Sequence, residues 1–187
     1  MFKMKRALRP GLYLLLFFCC AGPVSAGVPL EPLKRAPEIT SHVWFNVESF
    51  PRISIKSLRG DVIVVVFWSY MDAYSKKAMA YINDWYARYQ DEGLVVIGVH
   101  SKDWGFDMTP ATVAGAVKAL QINFPVALDE DSRICMAYGD PPRPSLFLID
   151  REGFLRAAYV SGFSWENVES FLRMLIEEGH SRLLDKL

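Results

Sequence analysis

The sequence is poor in cysteine and histidine, the side chains on which much redox and metal chemistry depends. Its 187 residues include three cysteines and three histidines. Cys19 and Cys20 are adjacent near the start of the chain, which leaves Cys135 as the one thiol farther along. One thiol cannot form an internal disulfide, so the pattern excludes a small scaffold held together by disulfides.

The chain also lacks net charge, with 21 basic and 21 acidic residues. The basic residues are unevenly placed, because residues 1–26 contain four of them and no acid. The remainder is mildly acidic and has no basic stripe with interleaved aromatic residues, which excludes the usual nucleic-acid footprint. About half of the residues are apolar (51%), a composition typical of one globular domain at this length.

No apolar stretch reaches the roughly 20 residues that a membrane-spanning helix requires. The stretch GLYLLLFFCCAG follows the basic residues and precedes PVSA. Val24 and Ala26 supply the small side chains that signal peptidase needs at the third and first positions before its cut. Residues 1–26 are therefore predicted to be a signal peptide cleaved after Ala26, which makes the protein periplasmic or secreted. The alternative is a retained segment that anchors the protein to the membrane.

Strand and helix patterns alternate along the rest of the chain. Residues 27–41, rich in proline and polar groups, are predicted to be an extended lead-in to a domain that covers residues 42–187. The continuous apolar run Val62–Trp68 predicts a strand buried on both faces. Residues 75–90 repeat apolar side chains every three or four positions, as an amphipathic helix does.

Further strands are predicted at Leu94–Val99 and in the segments FPVAL, SLFLID and FLRAAYV. Two more helices are predicted, one after the capping residue Thr109 with Pro110 in its first turn, and one after the capping residue Ser164. The order of these strands and helices predicts an α/β fold whose sheet carries helices on both faces.

Three strings occur in a familiar order: FWSYMDAYS at residues 67–75, VIGVHS at 96–101 and RPSLFLIDREG at 143–153. With them, the chain resembles the thioredoxin-fold domains of the exported TlpA-like type, and their DipZ-type branch in particular. The resemblance covers about residues 43–179. It implies a thioredoxin-like fold, with a central mixed β-sheet flanked by helices, and thiol–disulfide exchange as the activity of the family.

The same resemblance places Asp72 and Ser75 where the family carries its two cysteines. Exchange needs a thiolate that attacks a disulfide and a second thiol that resolves the mixed disulfide, and neither side chain can do this. Val66 stands where relatives commonly bury an acid. We therefore expect a domain without dithiol chemistry, in which Asp72 caps the helix that follows. The alternative is that its permanent charge imitates the reduced thiolate.

Pro144 matches the cis-proline of the family, which borders the groove where relatives hold an extended peptide. The resemblance implies that six residues contact such a peptide: Tyr70, Met71, Tyr74, Arg143, Pro144 and Ser145. The alternative is that Pro144 merely shapes a loop and that the aromatic residues pack internally. The expected partner is an exported protein or extended peptide, with no nucleic acid, and with the membrane only if the signal segment is retained.

Two further residues carry candidate chemistry. Cys135 is predicted to be a buried, inert thiol, whereas a weak reductase or peroxidase that used Cys135 or an external thiol is the alternative function. His100 ends a strand that could bring its ring near Asp72, but two candidate ligands fall short of a zinc site. A structural or solvent-facing histidine is therefore favoured, and no cofactor or metal is expected.

Overall fold

The computed structural model of the protein describes residues 28–49, 53–101 and 109–184. Over these residues the chain forms a mixed sheet with strand order β1-β7-β6-β3-β4-β5-β2. The strands are β1 (Val28–Arg35), β2 (Val43–Phe45), β3 (Val62–Trp68), β4 (Leu94–Ser101), β5 (Val126–Asp129), β6 (Ser145–Ile149) and β7 (Phe154–Val160). The helices are α1 (Ala73–Tyr89), α2 (Pro110–Ala119), α3 (Arg133–Ala137) and α4 (Trp165–Leu184).

Strand β3 lies at the centre of the sheet, parallel to β4 and antiparallel to β6. All seven of its residues are buried, as the unbroken apolar run predicts for a strand covered on both faces. Val62, Val64, Val66 and Trp68 share a core with side chains of α1, α2 and α4. The alternate residues face the other core, which includes residues of α3. The predicted helices on both faces of the sheet are therefore present.

Helices α1 and α2 begin where their sequences provide capping side chains. Asp72 is the N-cap of α1, and the helix therefore begins at Ala73, two residues before the predicted start. Thr109 caps α2 and exchanges hydrogen bonds with Thr112, while Pro110 occupies the first turn. Such caps satisfy backbone N–H groups that have no partner within the helix.

Part of the segment predicted to be an extended lead-in belongs to the sheet. Residues 28–35 form β1, which pairs with β7 in antiparallel register from Val28 opposite Ala158 to Arg35 opposite Phe154. The register shifts between Pro29 and Lys34. Prolines are tolerated in an edge strand such as β1 and where the register is irregular. The sheet therefore includes most of the segment that was predicted to precede it.

Arg151 joins three segments at the end of the sheet where β3 begins. Its Nη1 donates to the carbonyl oxygen of Gly60 at 2.6 Å, and its Nη2 donates to those of Glu92 and Ile176 at 3.2 Å. A Cβ atom on Gly93 would lie 2.8 Å from Nη1 of Arg151. Glycine at position 93 thus leaves the space that the guanidinium occupies.

The predicted signal peptide, residues 1–26, lies outside the described residues. Within the part of the chain that is described, no helix combines the length and the apolar composition needed to cross a bilayer.

Candidate functional site

The turn between β3 and α1 is held together by its own serine side chains. The hydroxyl of Ser69 accepts from the N–H of Met71 at 3.0 Å. The N–H of Ser69 in turn donates to the hydroxyl of Ser75 at 3.2 Å, and the N–H of Asp72 donates to the carbonyl of Ser69 at 3.3 Å. The turn is therefore fixed by short-range hydrogen bonds between its serine hydroxyls and its backbone.

Asp72 and Ser75 both direct acceptor oxygens at the backbone of this turn. Oδ2 of Asp72 accepts from the N–H of Ser75 at 2.5 Å, which is the N-cap bond of α1. Ser75 is fully buried, whereas Asp72 is half-buried. The negative charge of Asp72 lies at the positive end of the helix dipole, where it is stabilising. The predicted capping role of Asp72 is confirmed.

His100 is a buried structural residue that supports the same turn. Its ring is 1% exposed, and Nε2 accepts from the N–H of Tyr70 at 3.2 Å. The ring stacks on Tyr70 with centroids 5.2 Å apart and meets the ring of Trp68 edge-on at 4.8 Å. The predicted structural role is confirmed, and the solvent-facing alternative is wrong.

An open cavity of about 410 Å³ lies beside this turn. The Arg143–Pro144 peptide bond at its edge is cis, as the resemblance implied. The cavity is lined by Tyr74, Lys77, Arg143, Pro144, Ser161, Gly162, Phe163 and Trp165. It is thus bounded by the first turns of α1, the loop before β6, and the turn between β7 and α4.

The residues predicted to contact a peptide are only partly brought together. Tyr74, Arg143 and Pro144 line the cavity, and Tyr74 is 76% exposed. Met71, on the adjacent turn, is 46% exposed.

Tyr70 and Ser145 are placed differently from the other four. Tyr70 is half-buried and packs against the core and His100. Ser145 is buried, and its hydroxyl donates to the carbonyl of Pro142 at 2.6 Å. Internal packing, the alternative for the aromatic residues, therefore applies to Tyr70 and not to Tyr74.

Sequence reasoning missed the cavity wall formed by Lys77, Phe163 and Trp165. Trp165 stacks on Tyr81 with centroids 4.7 Å apart and meets Phe163 edge-on at 5.0 Å. The signal was the antiparallel pairing of the last two strands, which sets the end of β7 beside the start of β6. This pairing therefore places the aromatic residues that follow β7 near Pro144.

Cys135 lies on α3, on the face of the sheet opposite α1, and is fully buried. Its thiol donates to Oδ1 of Asp140 at 3.2 Å, and Nη2 of Arg143 approaches the sulfur at 3.6 Å. Burial and the Asp140 hydrogen bond raise the pKa of the Cys135 thiol to about 11, although the Arg143 guanidinium opposes this rise. The predicted buried thiol is confirmed.

In a comparison with known protein families, residues 33–158 match the AhpC/TSA family. The chain is 32% identical over 150 residues to Protein DipZ of Mycobacterium tuberculosis, which covers 80% of this chain but only 22% of DipZ. The chain therefore spans about a fifth of the length of that relative. It is 29% identical over 145 residues to the thiol-disulfide oxidoreductase ResA of Bacillus anthracis, covering 78% of this chain and 80% of ResA.

Solved structures give the same result for the fold. The crystal structure of a thioredoxin-like superfamily protein superposes with a TM-score of 0.68 at 27% sequence identity, covering 76% of this chain and 96% of that one. The thioredoxin-like α/β fold predicted from the three sequence strings is confirmed.

Proposed function

The chain belongs to the AhpC/TSA family of thioredoxin-like proteins, and we propose that it is an exported member that binds extended polypeptide segments without catalysing thiol–disulfide exchange. Its relatives include thiol-disulfide oxidoreductases.

The observation that carries the proposal is the pair Asp72 and Ser75 at the start of α1. A carboxylate and a buried hydroxyl occupy the positions that the resemblance assigns to the family's two cysteines, and both accept backbone hydrogen bonds. Exchange requires two thiols that pass a disulfide between them. The sequence contains no C-x-x-C pair to supply them.

The cavity beside Pro144 supports the binding part of the proposal. It is open to solvent, and the largely exposed Tyr74 stands at its rim while Phe163 and Trp165 form a wall. A cavity next to the first residue of a strand suits an extended segment, whose backbone provides affinity while side-chain pockets provide preference. Such binding needs no cysteine.

The alternative, a weak reductase or peroxidase that uses Cys135, is less well supported. A thiol must ionise and be reached by its substrate to act as a nucleophile. With a pKa of about 11, roughly one Cys135 thiol in ten thousand is ionised at pH 7. The side chain is also fully buried. If an external thiol supplied the reducing equivalents, this chain would still need a reactive group of its own to receive them.

Export is the second part of the proposal and rests on residues 1–26, with their basic start, apolar stretch and small residues at Val24 and Ala26. In this view the mature protein begins at Gly27 and acts in the periplasm or outside the cell. The mass of the protein recovered from its host, with cell fractionation, distinguishes cleavage after Ala26 from a retained membrane anchor.

The test of binding is an NMR titration of the protein with a reduced, alkylated and therefore unfolded polypeptide. We expect shifts at the amides of Tyr74, Arg143 and Ser145 and at the Trp165 indole, with a Kd in the micromolar range or weaker, about 8 kcal/mol or less. The unfolded chain lacks thiols, so no mixed disulfide can produce the signal.

Tyr74→Ala should weaken this binding, because the exposed ring borders the cavity. Met136→Ala is the matched control, since Met136 is 66% exposed but lies on α3 and outside the cavity lining. Equal effects of the two changes, or shifts confined to residues remote from the cavity, would refute the proposed site.

A further inference from the structure

The charges around the cavity suggest which segments it prefers. We infer, on the basis of the proposed function, that it selects extended polypeptide segments in which a carboxylate side chain adjoins an aromatic or aliphatic one. Three features of the lining produce this preference: its cations, its aromatic wall and the turn that places that wall.

The charged residues among the described lining are both cationic, Lys77 and Arg143. Lys77 is exposed on the first turns of α1, one turn after Tyr74. No ion pair joins Lys77 to a carboxylate within the described part of the chain. Arg143 approaches the Cys135 sulfur through Nη2 and adds a second positive charge nearby. The described lining contains no acid, so an acidic side chain entering the cavity meets Lys77 as its exposed cation. The guanidinium of Arg143 is directed at the Cys135 sulfur, which also contacts Asp140.

The aromatic part of the lining is fixed in place. The Trp165 ring stacks nearly parallel to that of Tyr81, at an interplanar angle of 2°, and contacts Phe163 at an angle of 78°. Trp85 supports the Trp165 ring from the core at 5.7 Å. Aromatic rings with few rotatable bonds offer contact area at a low entropic cost. An apolar side chain of the partner fits this wall.

The turn after β7 explains why wall and cations face one cavity. Val160 ends β7 opposite Ser145, the first residue of β6. Ser161 and Gly162 then adopt left-handed backbone conformations, with φ of 59° and 62°. Two such residues in succession reverse the chain, so Phe163 follows directly at the cavity rim. A segment lying against Pro144 is thus within reach of both the aromatic wall and Lys77, which line the same cavity.

The test uses fluorescently labelled, extended Ser/Gly peptides in which a single Phe is flanked on both sides by Glu, by Gln or by Lys. Flanking both sides removes any dependence on the direction in which the peptide binds. We expect the Glu peptide to bind roughly two- to fivefold more tightly than the Gln peptide, the size of effect that an exposed ion pair produces. The preference should shrink as ionic strength rises, since salt screens exposed charges.

Lys77→Glu should abolish the preference for the Glu peptide, because it leaves one positive and one negative charge in the lining. Lys76→Glu is the matched control: it makes the same charge change one residue earlier on α1, at an exposed position that does not line the cavity. The control should keep the preference for Glu. Equal binding of the Glu and Gln peptides, or equal effects of the two variants, would overturn the inference while leaving peptide binding intact. Absence of any binding would overturn the proposed function as well.

Discussion

Asp72 and Ser75 are joined by a hydrogen bond of 2.5 Å from the N–H of Ser75 to Oδ2 of Asp72, at the start of α1. The bond satisfies one of the N–H groups that a helix leaves without a partner in its first turn. In this chain the turn therefore serves to begin helix α1. Its N-cap residue, Asp72, is a hydrogen-bond acceptor whose charge does not depend on redox conditions.

Removing that acceptor should destabilise the fold modestly. Asp72→Ala is expected to lower the free energy of unfolding by about 0.5–2 kcal/mol, whereas Asp72→Asn should lower it less because asparagine is also a good cap. Urea denaturation measures both, with Glu130→Ala, a change at an exposed acid, as the control. A gain in stability from both Asp72 changes would show instead that the carboxylate is strained, as the thiolate-imitation alternative requires.

Restoring the two thiols should restore redox chemistry. In the double variant Asp72→Cys, Ser75→Cys, the first thiol lies at the α1 N-terminus, where the helix dipole lowers a cysteine pKa. We expect the pair to oxidise to a disulfide and to support the reduction of insulin by dithiothreitol. The wild-type chain and each single variant should give only the rate of the blank. A double variant whose thiols neither oxidise nor ionise early would show that these positions were wrongly matched to the family's cysteines.

The Cys135 thiol should be nearly unreactive in the native protein. Because its pKa is raised to about 11, labelling by a disulfide reagent at pH 7 should be at least about a hundredfold slower than in guanidinium chloride. The native rate should rise with pH up to about 11. The difference from the Cys135→Ser variant isolates this thiol. Similar native and denatured rates would revive the alternative of an enzyme that works through Cys135.

Glu169 should make the fold sensitive to acid. Hydrogen bonds from Arg88, Tyr89 and Trp85 outweigh burial and lower the pKa of its carboxyl to about 2. The stabilisation is therefore present above the ordinary value near 4.5 and is lost as pH falls through 2. Because the Arg88 side chain is 42% exposed, we expect only about 1 kcal/mol.

The measurement for this network is urea denaturation of the wild type and of Glu169→Gln at pH 6 and at pH 3. The variant should be less stable at pH 6, and the gap should narrow at pH 3. Glu177→Gln serves as a control, because its ion pair with Arg173 spans 3.8 Å between largely exposed side chains. A gap that is unchanged with pH would mean that the network contributes through packing rather than charge.

The fold was predictable because its signals are local. The apolar run Val62–Trp68 can be buried only as a central strand, and the capping residues at the starts of α1 and α2 can be read directly from the sequence. The pairing of β1 with β7 was not predictable, since it joins residues more than a hundred positions apart and a proline-containing segment carries no strong strand signal.

The candidate site was only half predictable for a similar reason. Tyr74 and Pro144 follow from the strings that carry the resemblance, but Phe163 and Trp165 reach the cavity through the β6–β7 register and the turn after it. His100 shows the opposite case, because its residue type suggested chemistry while its burial makes it an acceptor for the Tyr70 backbone.

Arg151 lies at the far end of the sheet from this cavity, and its three carbonyl partners belong to the turn before β3, the residue ahead of Gly93 and β4, and helix α4. None of these segments can separate from the others without leaving carbonyl groups or a guanidinium in need of new partners. Amide hydrogen exchange in the three segments should therefore report one shared opening rather than three separate ones. We therefore expect one end of the sheet to open only as a cooperative unit, while the cavity beside Pro144 lies at the other end.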